Sequence, residues 1–124
     1  MAKTREAPAG TRRIKHVRAA RLQEIQAYVL ENMRQQSLSI HAVASRHGLS
    51  ATYVRDLFAA DGTSFSEFLM RQRLAAAHMM LRDTRFADRS VGMIAVEVGF
   101  GSVTSFNRVF QNRYGVKPAQ MREG

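Results

Sequence analysis

Apolar residues recur along this chain at the three-and-four spacing of an α-helix, and no segment alternates as a strand would. Val17, Leu22, Ile25, Tyr28, Val29, Leu30 and Met33 fall broadly along one stripe, which predicts a helix near 17–36. Ser39 is placed to cap a short helix with Ile40, Val43 and Ala44 inward, ended by Gly48. Ser50 caps the next, near 50–60, with Val54, Leu57 and Phe58 inward. Ser64 followed by Glu67 is a capping box that opens a long helix to about Arg82. The inner stripe of that helix is Phe68, Leu69, Leu74, Ala77, Met80 and Leu81. Ser90 then caps a helix with Val91, Ile94 and Ala95 inward, closed by Gly99. Ser102 caps another, near 102–113, with Phe106, Val109 and Phe110 inward, and Pro118 suits the first turn of a last helix. The expected fold is all-α, with about seven helices.

The pattern restarts near its middle. Set on Ser90–Gly99, the segment Ser39–Gly48 pairs Ile40 with Val91, Val43 with Ile94 and Ala44 with Ala95. Set on Ser102–Phe110, the segment Ser50–Phe58 pairs Val54 with Phe106, Leu57 with Val109 and Phe58 with Phe110, with one residue inserted at the turn. Each unit is a short helix, a glycine-containing turn and a second amphipathic helix, the outline of a helix-turn-helix. The small Ala44 and Ala95 let the second helix cross close to the first. Its apolar stripe anchors it and leaves the opposite face free. Between the units, the helix near 64–82 spans about 28 Å at about 1.5 Å per residue. Successive major-groove faces on one side of B-DNA lie about 34 Å apart, so such a helix could hold two readers one turn apart.

The free faces carry groups that can meet base edges. The first displays Ala51, Thr52, Arg55, Asp56 and Ala59; the second displays Val103, Thr104, Asn107, Arg108 and Gln111. Arginine can grip guanine with two hydrogen bonds, asparagine or glutamine can do the same with adenine, and valine can pack on a thymine methyl. One such face alone would be an ordinary solvated surface. Two matched units that both present one favour base reading.

Charge sharpens the choice of partner. The 124 residues carry 19 Lys and Arg against 10 Asp and Glu, a net charge of +9, which suits a polyanion. Lys3, Arg5, Arg12, Arg13, Lys15, Arg18 and Arg21 face Glu6 alone in residues 1–21, so most of the excess sits at the start. Residues 1–16 are expected as a disordered basic tail or linker, able to touch phosphates. Arg71, Arg73, Arg82, Arg85 and Arg89 flank the long helix and the loop after it. They are expected mostly on a solvated face, with some available to phosphate. Met70, Met79, Met80 and Met93 are expected to fill core gaps.

Composition excludes other classes. There is no cysteine, hence no disulfide, thiolate metal site or cysteine nucleophile. No apolar run approaches the roughly 18 residues of a membrane span, and a cytoplasmic setting is expected. His16, His41, His47 and His78 lack metal-ligand spacing, and Gly99 with Gly101 reads as a turn. With no acid–base constellation either, no enzyme, metal or cofactor is expected. The alternative is a non-specific basic architectural protein that binds nucleic acid through charge and stacked aromatics. Here Phe58, Phe68, Phe100, Phe106 and Phe110 fall on inward stripes, and Tyr53 is the exception, placed to pack on a sugar or phosphate.

The stretch from Ser39 to Leu81 resembles the first helix-turn-helix and linker helix of the AraC/XylS transcriptional regulators. The stretch from Ser90 to Arg122 resembles their second unit. Ile94-Ala95, Val98-Gly99-Phe100, Phe106, Arg108, Phe110, Tyr114-Gly115-Val116, Pro118 and Arg122 all match that pattern. The resemblance implies two helix-turn-helix subdomains, at 17–63 and 83–124, joined by the linker helix 64–82. It implies a regulator specific for double-stranded DNA, with activation at promoters through RNA polymerase as the usual outcome. Base reading carries over to Thr52, Arg55 and Asp56, and to Val103, Thr104, Asn107 and Arg108; backbone contact falls to Ser50, Tyr53, Ser102 and Gln111. Asp56 departs from the basic residue common there; it could accept from a cytosine amino group or turn away from the phosphates. Many members carry a separate ligand-sensing domain. None fits in the 16 residues before the first predicted helix, so a small stand-alone regulator and an excised domain both remain open.

Overall fold

A computed structural model describes residues 9–123. They form seven α-helices: α1 (Ala9–Asn32), α2 (Ile40–Arg46), α3 (Ala51–Ala60), α4 (Phe65–Arg82), α5 (Val91–Glu97), α6 (Val103–Tyr114) and α7 (Pro118–Glu123). One 3₁₀ turn, Thr84–Phe86, follows α4, and no strand occurs among the described residues. The all-α expectation holds.

Five serines start five helices by one device. The Oγ atoms of Ser39, Ser50, Ser64, Ser90 and Ser102 accept from the backbone N–H three residues on, at 3.0–3.1 Å. Each removes one of the orphan donors of a first turn. At α4 the capping box is half made: the Glu67 carboxylate accepts from the Thr63 hydroxyl at 3.2 Å instead of turning back on Ser64.

The two turns of the repeat are built alike. Leu49 N–H donates to Ala44 O, and Phe100 N–H donates to Ala95 O, both at 2.9 Å. These bonds close α2 and α5 over Gly48 and Gly99, which take the left-handed backbone at φ 69° and 108°. The inserted Gly101 follows the shared turn and leaves it intact.

Two separate cores result. The first gathers Ile25, Val29, Val43, Ala44, Val54, Leu57, Phe58, Phe65 and Leu69. The second gathers Leu74, Ala77, Met80, Leu81, Ile94, Ala95, Val98, Phe100, Phe106 and Phe110. The first turns of α4 thus serve one core and its last turns the other. Both cores are dry: no polar or charged residue among those described is buried.

Several expectations need correction. The first helix runs Ala9–Asn32 and not 17–36, so residues 9–16 of the expected tail are helical; residues 1–8 lie outside the described part. Residues 12–17 bury nothing, with Ile14 61% and Val17 42% exposed. They continue the helix that Leu22, Ile25 and Val29 anchor further on, and a search for an apolar stripe does not detect such an extension. At the other end, Gln35 N–H turns back onto Asn32 O at 3.0 Å and stops the helix. Leu30 also leaves the stripe, at 47% exposure. Of the four methionines, Met80 is buried and Met70 half-buried, but Met79 and Met93 are exposed at 72% and 57%. They stand on outward faces of α4 and α5. Phe65, absent from the expected stripe, is buried against Phe58 with ring centroids 5.9 Å apart.

Candidate nucleic-acid interface

Helix α3 turns Val54, Leu57 and Phe58 into the first core, which forces the opposite face outward. Thr52, Arg55, Asp56 and Ala59 stand exposed on that face. Helix α6 does the same in the second core through Phe106 and Phe110, and leaves Val103, Thr104, Asn107, Arg108 and Gln111 exposed. All seven expected base-reading residues are therefore accessible. No hydrogen bond or ion pair among the described residues holds Arg55 or Arg108. Their guanidinium forks are open to bidentate acceptors.

The expected backbone contacts are placed differently from one another. Ser50 and Ser102 each spend one oxygen lone pair on the caps of α3 and α6, and each hydroxyl hydrogen stays available to an outside acceptor. They also sit at helix N-termini, where the dipole favours an anion. Gln111 is exposed on α6. Tyr53 is half-buried against the first core. Its hydroxyl accepts from Arg21 at 3.1 Å, and the guanidiniums of Arg18 and Arg21 lie 5.1 and 5.5 Å from its ring centre. The tyrosine thus gathers two cations of α1 beside the start of α3.

Sequence reasoning missed Lys117. A surface cleft is lined by Val91, Val103, Asn107, Arg108, Gln111 and Lys117, so the loop before α7 adds a cation to the exposed face of α6. The basic motif signal could not find it, because Lys117 lies in a different element from its neighbours in space.

Of the cations around α4, Arg71, Arg82 and Arg85 are exposed and Arg73 and Arg89 half-buried, and each has a partner within the protein. Arg71 donates to Thr63 Oγ1 at 3.2 Å, Arg82 approaches Met121 Sδ at 3.7 Å, and Arg89 pairs with Glu97. Arg85 forks onto Asp83 at 2.6–3.1 Å. The Arg85 side chain and then its backbone N–H hold the Asp83 carboxyl below its ordinary value, while Asp83 raises Arg85. Arg73 reaches two carbonyls, Met33 O and Gln35 O, and burial draws its guanidinium below its ordinary value. Arg122 donates to Phe86 O at 3.0 Å and to Arg89 O, which ties α7 to the loop before α5.

No metal chemistry gathers here. Among the described residues no three of His, Asp or Glu cluster closely enough to hold an ion. His47 lies 2.9 Å from Val43 O and edge-on to Tyr28, and His78 packs on Tyr114 at 4.7 Å. Both are packing groups. No helix among the described residues is long and apolar enough to cross a membrane.

A family profile described as a helix-turn-helix domain matches residues 43–124. The chain is 33% identical over 102 residues to "Transcriptional activator RhrA" of Rhizobium meliloti (strain 1021), covering 82% of this chain and 32% of that protein. It thus spans about a third of the length of that curated relative. A crystal structure of a transcriptional regulator from Chromobacterium violaceum, described as having an AraC-type DNA-binding domain, superposes with a TM-score of 0.74 at 25% identity. That match covers 85% of this chain and 91% of the other. The DNA-binding domain of AdpA, described as a global transcriptional factor in complex with a target DNA, superposes with a TM-score of 0.72 at 27% identity. It covers 82% of this chain and 89% of that domain.

Proposed function

Because the chain belongs to the AraC/XylS family of helix-turn-helix regulators, we propose that it binds double-stranded DNA sequence-specifically and activates transcription at promoters. One observation carries the reading: two matched modules each expose a polar helix face whose arginine is unpartnered. Subdomains at 17–63 and 83–124, on either side of the linker 64–82, each insert one recognition helix into the major groove. The family is one of DNA-binding regulators and not of enzymes.

The chemistry follows from the exposed groups. Arg108 and Arg55 fork onto guanine O6 and N7, and Asn107 onto adenine N6 and N7. Val103 and the methyls of Thr52 and Thr104 pack on thymine methyls, and Asp56 accepts from a cytosine amino group. Ser50, Ser102 and Gln111 donate to phosphates, and Tyr53 presents Arg18 and Arg21 to the strand beside α3. Such contacts position the helices without reading sequence. RNA polymerase is the partner in activation, a ligand-sensing domain would supply regulation, and the cytoplasm is the site of action.

Selection from random oligonucleotides tests this. A defined motif is expected, with specific binding tighter than non-specific binding by at least about 10³-fold. Arg108→Ala should cost about 1–3 kcal/mol on that motif and relax preference at one position. An equal loss on selected and random DNA would favour a purely electrostatic, architectural binder, whose affinity falls steeply with salt and shows a specificity ratio near one.

A further inference from the structure

Helix α4 is not the sole connection between the two modules. The loop after α1, in the first module, lies against the turn between α5 and α6, in the second. Arg73 of α4 sits between them, with Nε donating to Met33 O at 2.7 Å and Nη2 to Gln35 O at 2.8 Å. Those carbonyls follow the C-terminus of α1, where a cation is favoured. Charge-assisted bonds of this length are the strong kind.

The second module closes on the same groups. A Cβ on Gly99 would sit 2.5 Å from Met33 O and 2.6 Å from Arg73 Nε. A Cβ on Gly101 would sit 2.5 Å from Gln36 Nε2. At the rim Arg34 meets Glu97 at 3.7 Å. The repeat supplies an internal comparison. Gly48 occupies the matching turn of the first module with the same hydrogen bonding, yet a Cβ there would meet nothing within 4 Å. The tight approach at Gly99 is thus no requirement of the helix-turn-helix turn. It belongs to the contact between modules.

We propose that Arg73 and Gly99 form a clamp that sets the angle between α3 and α6, so that selectivity for half-site spacing rests on residues that touch no base. The proposal rests on the DNA-binding reading above. Without the clamp the modules would be joined through α4 and the rim contacts of Arg34 with Glu97 and of Gln36 with Gly101, which resist a small twist less. With it, such a twist must open the close approach of Gly99 to Met33 O and to the Arg73 side chain that holds the Met33 and Gln35 carbonyls. One base pair of added spacer rotates the second half-site by about 34–36°. A fixed angle converts that rotation into lost contacts.

The chain has no cysteine, so spin labels placed by Gln23→Cys and Ala119→Cys, both exposed, report the distance between modules in DNA-free protein. The parent should give one narrow distance distribution. Arg73→Leu should broaden it with helix content unchanged, and Arg73→Lys should restore part of the order. A distribution left narrow in Arg73→Leu overturns the clamp. Should Arg73→Leu fail to fold, Arg73→Gln, which keeps one donor, carries the same comparison. In a second arm, one base pair is inserted between the half-sites of the selected duplex. The parent should lose about tenfold or more in affinity, the cost of misplaced base contacts. Arg73→Leu should show a smaller ratio between its two duplexes; an equal ratio overturns the proposal. The distance measurement uses no DNA, so failure to select any site sinks the regulatory reading and leaves the clamp measured.

Discussion

Replacing Phe110 by alanine removes a fully buried ring from the second core. The ring lies against Phe106 at 5.5 Å, Tyr114 at 4.7 Å and His78 at 6.5 Å between centroids. Large-to-small changes of this kind cost about 3–5 kcal/mol, the transfer loss plus the cavity left behind. Each aromatic pair adds about 0.5–1.5 kcal/mol beyond area, so the upper part of that range, about 4–5 kcal/mol, is expected here. A chain of this length is stable by about 6–19 kcal/mol at typical per-residue values, so the loss is a large share of the total. For a protein of this size it should lower the melting midpoint by about 12–30 °C. Thermal melts followed by circular dichroism, with urea titration for the free energy, measure the change. Val103→Ala, on the exposed face of the same helix, is the control and should stay within about 0.5 kcal/mol. A loss below about 1 kcal/mol for Phe110→Ala would mean that α6 is not anchored through this ring. The exposure of its outer face would then lose its physical cause.

Removing residues 1–13 deletes Lys3, Arg5, Arg12 and Arg13 against Glu6 alone. The slope of log affinity against log salt should become shallower, with the preferred site unchanged. A new preferred site in the selection would show that this segment reads a groove. Asp83 tests the acid limb of stability. Its carboxyl is held low in the folded protein, so its contribution is complete above an ordinary carboxylate pKa of about 4 and is lost as pH falls through the lower folded value. Asp83→Asn should therefore flatten the decline in urea midpoint below pH 4, and only modestly, since the pair is exposed at its arginine. An acid limb identical in parent and variant would refute that role.

The helices and their caps were readable because their causes are local. A serine caps the N–H three residues on, so Ser39, Ser50, Ser64, Ser90 and Ser102 could be named without coordinates. The two reading faces were readable for the same reason. Once Leu57 or Phe110 is inward, the 3.6-residue period places Arg55 or Arg108, two residues earlier, on the outward side. Where the helix runs on without an apolar stripe, as in residues 9–16, the apolar pattern was silent. Apolar character alone also misplaced Met79 and Met93, since it does not tell which flank of a short helix finds a neighbour.

The order of helices, the serine-capped starts of five of them, the internal duplication and the outward faces of α3 and α6 were all written in the linear chain. Each follows from contacts spanning a few positions, or from like units compared side by side. The joining of the modules was not. Arg73 meets residues 40 and 38 positions away, and Lys117 comes beside Arg108 across a helix boundary. Gly99 and Gly48 look alike in the sequence of their turns, and the space around them differs because the Met33 backbone and the Arg73 side chain pass over Gly99. Contacts at that separation arise from how two cores settle on a shared helix, and no local periodicity encodes that arrangement.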